Sequence, residues 1–343
     1  MKILALETSC DETSAAIIKA DRGQLEIMSN IISSQIDIHK KYGGVVPEIA
    51  ARHHIKNVLP VVMETLTKAN IKPQNIDLLA VVSGPGLVTS LVVGLETAKG
   101  LSLAWHKPLL AVNHMYAHIA ANFLDANLSF PAVCLVVSGG HTEIVVLDSY
   151  YKYTKIGQTV DDAVGEAFDK VAKLLDLGYP GGPAISHLAE EYANSNKMYK
   201  KINLPRPMLK SNDFNFSFSG LKTAVLYTAQ KVRHIDNGFR SAMAYEFQEA
   251  VVEVLVSKTI KAAKKYQVKT IIMAGGVAAN KRLRAELKLQ AEKLGLKFTV
   301  PEFKLCTDNA AMAGIAAYYL STKKKVPMDN YKRATANPNW ELI

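Results

Sequence analysis

The sequence predicts an α/β protein folded twice over, with two lobes around a cleft lined by glycines from both. Three observations carry that class. The chain has 343 residues, 49% of them hydrophobic, which is material for about two domains of roughly 100–200 residues, each with its own core. Two strands joined by a turn of small polar residues occur twice. A strand that runs into a glycine turn and then a helix also occurs twice.

In chain order, the apolar run 3–6 (ILAL) breaks into ETSCDETS and resumes at Ala15–Ile18, which reads as a hairpin. Residues 78–82 (LLAVV) lead into SGPG and a helical pattern from Leu87 to about Trp105. A helix is expected over 114–125, with a turn at Pro131. The second hairpin runs from 133–137 (VCLVV) through SGGHTE to Ile144–Leu147, and a helix follows within 159–175. Residues 196–215, polar and carrying Pro205 and Pro207, read as a surface loop. Residues 270–274 (TIIMA) enter a Gly-Gly turn and a helix to about Leu294. The segment LCTDNAAMAGIAAYYL looks like a helix start capped by Thr307 or Asp308. Two such halves, each offering backbone N–H groups and a helix N-terminus to an anion, make the actin-like arrangement (sugar-kinase-like, Hsp70-like), a duplicated RNase H-like fold. The expected division is 1–128 for one lobe, 129–322 for the other, and 323–343 for an irregular basic tail.

Composition excludes disorder, collagen and coiled coil. No apolar run approaches the roughly 20 residues needed to cross a bilayer, and MKILALETSC reads as a strand and not a signal peptide. Cys10, Cys134 and Cys306 are odd in number and far apart, with no C-x-x-C knuckle, which suits a reducing cytoplasm. The charge balance, 41 Lys+Arg against 31 Asp+Glu, hints at an anionic partner such as nucleic acid. Lys281, Arg282 and Arg284, and Lys323–Lys325 with Lys332 and Arg333, concentrate the excess.

Several constellations could carry chemistry. His114 and His118, four apart, share one helical face and could share a metal; the plainer reading is two satisfied helical histidines. No Glu follows the first histidine, so the zinc-peptidase H-E-x-x-H is absent. Asp308 reads first as a helix cap. As a third ligand it would complete a two-His, one-carboxylate site suited to iron(II) or zinc. Gly139 and Gly140 would let a ligand approach the backbone, with His141 beside a phosphate or a metal; an ordinary hairpin turn fits equally. Asp162, Glu166 and Asp169 share a helical face and either complement the helix N-terminus or contact ligand hydroxyls. Asn280 ends a glycine turn where its amide could read a base or hydroxyl. SFSGLKTA lacks the full P-loop pattern, and G-x-G-x-x-G is missing, which argues against a dinucleotide fold.

Taken in order, ETSCDETS, GGVVPEIAARHH, SGPGLVTSLVVGLETAKGL, NHMYAHI, SGGHTE, DDAVGEAFDK, YPGGP, SFSGLKTA, AGGVAAN and CTDNAAMAG resemble the tRNA threonylcarbamoyladenosine transferases. This is the TsaD type, formerly described as glycoprotein endopeptidases. The resemblance runs from Leu6 to about Gly314. It implies transfer of a threonylcarbamoyl group from threonylcarbamoyl-AMP to N6 of adenosine 37 in tRNAs reading ANN codons. It also implies His114, His118 and Asp308 as ligands of one iron(II) or zinc ion per subunit, and a substrate-binding turn Val137, Ser138, Gly139, Gly140, His141. Asp169 and Gly182 match positions around the adenylate ribose, Asn280 matches an adenosine contact, and Glu12 matches an acid near the phosphates and is the candidate catalytic residue, with a metal-bound water as the other candidate to remove the N6 proton. Tyr116 stands where relatives often carry Glu, and Ser186 where some carry Asp. The implied partners are tRNA, a smaller TsaB-type paralogue and a TsaE-type ATPase, with no membrane.

Three other readings compete. An actin-fold kinase would share the glycine turns but has no need of the histidine pair. A metallopeptidase lacks its Glu. A silent scaffold of the same fold would lack the histidines.

Overall fold

The computed structural model describes residues 1–124, 128–195, 199, 202–232 and 234–342. In chain order the elements begin with β1 (Lys2–Glu7), β2 (Glu12–Asp21), β3 (Gln24–Ser34), α1 (Ile36–His39), α2 (Pro47–Ala69), β4 (Leu78–Gly84), α3 (Val88–Trp105), β5 (Leu109–Asn113) and α4 (His114–Ala120). There follow β6 (Ala132–Val137), β7 (Thr142–Ser149), β8 (Lys152–Gln158), α5 (Val164–Leu174), α6 (Gly181–Asn194), α7 (Ser219–Gln230), α8 (Asn237–Lys265), β9 (Thr270–Ala274), α9 (Lys281–Lys293), β10 (Lys297–Thr299) and α10 (Ala310–Lys323). The chain divides into two compact units.

The first unit, residues 1–128, 149–152 and 301–343, holds a five-stranded sheet of order β3-β2-β1-β4-β5. β1 runs antiparallel to β2 and parallel to β4, and β4 is parallel to β5. β1 and β4 are buried along almost their whole length, so they read as continuous apolar runs and not as alternating ones. One sheet face, with Leu4, Leu6, Ile17, Leu79 and Val81, packs against Val58, Val62 and Leu66 of α2 and Leu95 of α3. α2 starts on Pro47, whose missing N–H costs nothing there, and ends on Asn70 in the left-handed region at φ 52°. The other face takes α10, where a side chain at Gly314 would collide with Ile18.

The second unit, residues 129–148 and 153–300, repeats the plan with order β10-β9-β6-β7-β8. β6 is antiparallel to β7 and parallel to β9, and β9 is parallel to β10. From the central strand to its antiparallel neighbour on one side and the two parallel strands on the other, both sheets have the same order and polarity, which is the duplication expected from the two hairpins and the two strand–glycine–helix units.

Three expectations are corrected. Residues 301–322 belong with the first unit and not the second, because α10 packs on β1 and β2. Residues 323–343 are not a separate tail: Ala334 and Leu342 are buried, and Asn337 N donates to Ser83 O at 2.8 Å. The expected helix over 114–125 is shorter, α4 ending at Ala120 with a 3-10 turn to Phe123; 125 lies outside the described residues. Of the loop expected over 196–215, positions 196–198, 200 and 201 also lie outside them.

Candidate functional site

The first cluster grows from α4. Asn113, the last residue of β5, caps the helix by accepting from Tyr116 N at 3.0 Å. The following seven residues place His114 and His118 one turn apart, with ring centroids 4.6 Å apart. Asp308 comes from the start of α10. The helix cap is Asn309, whose Oδ1 accepts from Met312 N at 3.1 Å, so the expected capping role of Thr307 or Asp308 does not hold. That leaves the Asp308 carboxylate to turn toward the histidines: Oδ1 lies 3.1 Å from His118 Nε2 and 3.5 Å from His114 Nε2. One ligand atom from each of the three residues fits within 4.8 Å of the others.

The surroundings fix this cluster. Glu7, fully buried at the end of β1, accepts from His114 Nδ1 at 2.9 Å, and Ser9 Oγ lies 3.1 Å from the same nitrogen. A carboxylate on one imidazole nitrogen aims the other, which is the usual support of a metal-bound histidine. Burial pulls the His114 imidazole down, but the Asp308 and Glu7 carboxylates outweigh it and raise it to about 9. Without a cation, then, His114 carries a proton between two carboxylates. A divalent ion would put two positive charges in place of that one beside two imidazole nitrogens and a carboxylate, a donor set that fits zinc or iron(II). Sequence reasoning misses Glu7; the signal it offers is an acid ending a strand too apolar to be exposed.

Glu12 opens β2 and accepts from Ser34 Oγ at 3.2 Å. Burial, then the charges of Asp308 and Asp11, push it up to about 10. Burial, followed by the same acids, lifts the Cys10 thiol well above its ordinary value, so it stays protonated. His54 is pulled down by burial and is neutral. It donates from Nε2 to Cys10 O at 3.0 Å and accepts from Thr13 Oγ1 at 2.8 Å.

The second cluster lies in the second unit, on the turn between β6 and β7. Val137 and Ser138 are buried, His141 is half-buried, and Gly139 and Gly140 are exposed. The turn rests on the start of α5. Gly165 N donates to Ser138 O at 3.2 Å, Glu166 N to Gly139 O at 3.1 Å, and Val164 N to Thr142 Oγ1 at 2.8 Å. A methyl on Gly165 would stand 2.6 Å from Ser138 O, whereas methyls on Gly139 or Gly140 would meet no protein atom within 4 Å. The exposed glycines therefore leave space for something other than this unit.

Asp169 accepts from Gly181 N at 2.7 Å and holds the start of α6. Gly181 is the glycine pressed on α5. Gly182, the expected ligand position, is open on its Cα side. Asn280 caps α9 through Leu283 N at 2.9 Å and gives both amide hydrogens away, to Ser186 Oγ and Gln248 Oε1, each at 2.9 Å. Its amide donor is thus spent, and only the carbonyl keeps a lone pair for an adenosine. Ser186, which the resemblance leaves out of the binding set, is joined to it directly.

The family sequence model for TsaD, tRNA N6-adenosine threonylcarbamoyltransferase, matches residues 26–315. The chain belongs to this family. The tRNA N6-adenosine threonylcarbamoyltransferase of Thermosipho africanus is 51% identical over 338 residues, covering 98% of this chain and 99% of that one. The enzyme of the same name from Syntrophomonas wolfei is 53% identical over 318 residues, covering 92% and 91%. Among solved structures, T. kodakarensis HypF aligns with a TM-score of 0.65 at 14% identity, over 96% of this chain and 49% of that one, a likeness of fold alone.

Two further features of this threonylcarbamoyltransferase-family chain bear on partners. At the start of α9, Arg282 and Arg284 are held by partners within the chain, whereas Lys281 is exposed. Arg282 is bidentate to Glu249 at 2.8 and 2.9 Å and also meets Glu286, Arg284 donates to Ala278 O, and Lys281 faces Glu190. The expected role of the two arginines on an outside anion is therefore weakened, while Lys323–Lys325, Lys332 and Arg333 are exposed. On α2, Ile55, Leu59 and Met63 form an exposed apolar stripe at helical spacing, and Val88 and Val92 do the same on α3. No helix among the described residues is long and apolar enough to cross a membrane.

Proposed function

We propose that this chain transfers the threonylcarbamoyl group from L-threonylcarbamoyladenylate to N6 of adenosine 37 in tRNAs reading ANN codons, releasing AMP. The observation that carries the reading is the convergence of His114, His118 and Asp308 in a chain of this family. These three residues would hold one Fe(2+) or Zn(2+) ion per subunit. Bound there, such an ion supplies Lewis-acid polarisation of a carbonyl or phosphoryl oxygen.

The chain's own residues supply the rest. Glu7 fixes the His114 ring through Nδ1. The open turn Val137–His141 brings backbone N–H groups to the adenylate, where preorganised donors stabilise the leaving phosphate. Asp169 and Gly182 flank the ribose position, and Asn280 meets the adenine through its carbonyl. N6 adds to the carbamoyl carbon, a C–N bond forms, and the C–O bond to phosphate breaks with its electron pair leaving on AMP. One proton leaves N6. Glu12 is the proposed acceptor of that proton: burial and neighbouring carboxylates raise its pKa, positive charge at Asp308 would lower it so that the carboxylate stands ionised before the transfer, and the ionised carboxylate then takes the proton that leaves N6.

The tRNA is engaged by the exposed basic residues 323–325, 332 and 333. The apolar stripes of α2 and α3 suit the helices of a TsaB-type paralogue, with a TsaE-type ATPase acting on the pair. The three free cysteines accord with a cytoplasmic setting. Mass spectrometry of nucleosides from tRNA incubated with threonylcarbamoyl-AMP, with and without those partners, tests the reading. Threonylcarbamoyladenosine at position 37 is expected, and its absence in every combination would reject the assignment.

A further inference from the structure

The cap of α4 is tied to a part of the chain more than two hundred residues away. Asn113 is buried and its amide does two jobs. Its Oδ1 accepts from Tyr116 N and so caps the helix, while Nδ2 donates to Trp340 O at 2.9 Å. Trp340 belongs to a strap that crosses the ends of β4 and β5. Asn337 N donates to Ser83 O at 2.8 Å, Gly86 N donates to Pro338 O at 3.3 Å, and Trp340 N closes a turn on Asn337 O at 3.1 Å. Asn339 N is held by Asn337 Oδ1 at 3.1 Å. The strap lies so close to β4 that only glycine fits at 84, where any Cβ would overlap Asn337 O.

A helix of seven residues has little stability of its own, so its direction depends on what holds its first turn. His114 directly follows the cap, and His118 stands one turn further on. We propose that the strap Asn337–Trp340, acting through the Asn113 amide, is a positioning element that sets the angle of α4 and thereby the convergence of His114 and His118 on Asp308. This rests on the reading of that trio as a cation site.

The test separates the cap from the strap. Asn113→Ser keeps a capping oxygen, since serine caps as well as asparagine, but has no donor for Trp340 O. Asn113→Ala loses both. Removal of 337–343 loses the acceptor and keeps the cap. The probe is Co(2+), read by its visible absorption, with far-ultraviolet circular dichroism as the fold control. Asn113→Ser is expected to weaken Co(2+) binding by about tenfold, as loss of outer-shell support does at metal sites. The truncated chain should match it, and the two changes combined should do no more than either, because they cut one link. Wild-type affinity in Asn113→Ser, with loss confined to Asn113→Ala, would reduce Asn113 to a cap and overturn the proposal. Full additivity would overturn it as well. If the truncated chain does not fold, Asn113→Ser against Asn113→Ala decides alone. If the wild-type chain binds no Co(2+), the cation reading fails by itself. Hydrogen exchange at the Tyr116 amide then judges the strap: faster exchange in Asn113→Ser supports it and unchanged exchange rejects it.

Discussion

The turn between β1 and β2 and the turn between β6 and β7 hold the same place in two copies of one fold, yet they differ in nearly every side chain. Both are braced by a glycine arriving from the neighbouring parallel strand. A Cβ on Gly86 would stand 2.6 Å from Ser9 O, and one on Gly275, at φ 92°, would overlap Val137 O. The first turn is then closed over buried groups: Glu7, Thr8, Ser9 and Asp11 are all inaccessible or nearly so, and Glu7 feeds charge into His114 beside Asp308. The second is opened, with Gly139 and Gly140 facing space. A duplicated backbone thus offers two equivalent anchor points, and in the function proposed above the residues placed on them divide the chemistry, one for a cation and one for a ligand. Fold alone does not assign those roles.

The comparison breaks most visibly on the cation side. His118→Ala and Asp308→Ala are each expected to lose bound metal and to cut transfer to tRNA by at least about 100-fold, near 3 kcal/mol in barrier. Thermal unfolding should move only modestly, because Asp308 is partly exposed and caps no helix. Metal analysis together with nucleoside mass spectrometry checks this, and full metal content with normal transfer in either variant would remove that residue.

On the ligand side, Gly165→Ala is expected to destabilise the chain by about 1–3 kcal/mol, since its methyl meets backbone atoms at 2.6 and 2.8 Å that have no room to yield. Gly140→Ala, whose methyl meets nothing, should leave the denaturant midpoint unchanged. Equal midpoints for both would show that the turn is not seated on α5 as described.

The first anchor should also respond to pH. His114 is raised from 6.5 to about 9 and Glu12 from 4.5 to about 10. A folded pKa above the unfolded one gives stability that is present below the unfolded value and lost as pH rises through the folded value. The cation-free chain should therefore lose thermal stability between about pH 6.5 and 9, and the His114→Gln variant should show a shallower loss. A stability that rises over that window would contradict the charge arrangement around Asp308.

The smallest effect concerns tRNA. If Lys323–Lys325, Lys332 and Arg333 touch phosphates, neutralising them should lower the log–log salt slope of tRNA binding by about one unit for each phosphate left without its cation. Arg282→Gln should instead cost stability, because that guanidinium is held by Glu249 and Glu286.

Local pattern makes much of this legible in the sequence. The two hairpins and the two strand–glycine–helix units are short-range features, and they carry the duplication. The histidine pair is visible because a spacing of four survives any helix. What escapes is tertiary. α10 is apolar on nearly all sides, so nothing in its sequence says which sheet it covers, and sequence reasoning places 301–322 in the wrong unit. Asp308 and Asn309 are both fit to cap a helix, and only the fold shows that Asn309 does so. Asn280 reads as a ligand amide because a cap and a ligand contact draw on the same side chain. The basic tail reads as irregular because its attachments at Ser83 and Gly86 are backbone bonds, which leave no mark on residue type.

The division of labour between the two turns is tested most directly by measuring Zn(2+) and AMP binding side by side, by calorimetry, in Asp308→Ala and Gly140→Val. Gly140→Val fills the open space with a side chain that meets no atom of its own unit at Cβ. Asp308→Ala should lose Zn(2+) and keep AMP affinity within about twofold, well under 1 kcal/mol. Gly140→Val should keep Zn(2+) and weaken AMP by about tenfold or more. Loss of both ligands in both variants, or of neither in either, would contradict the account.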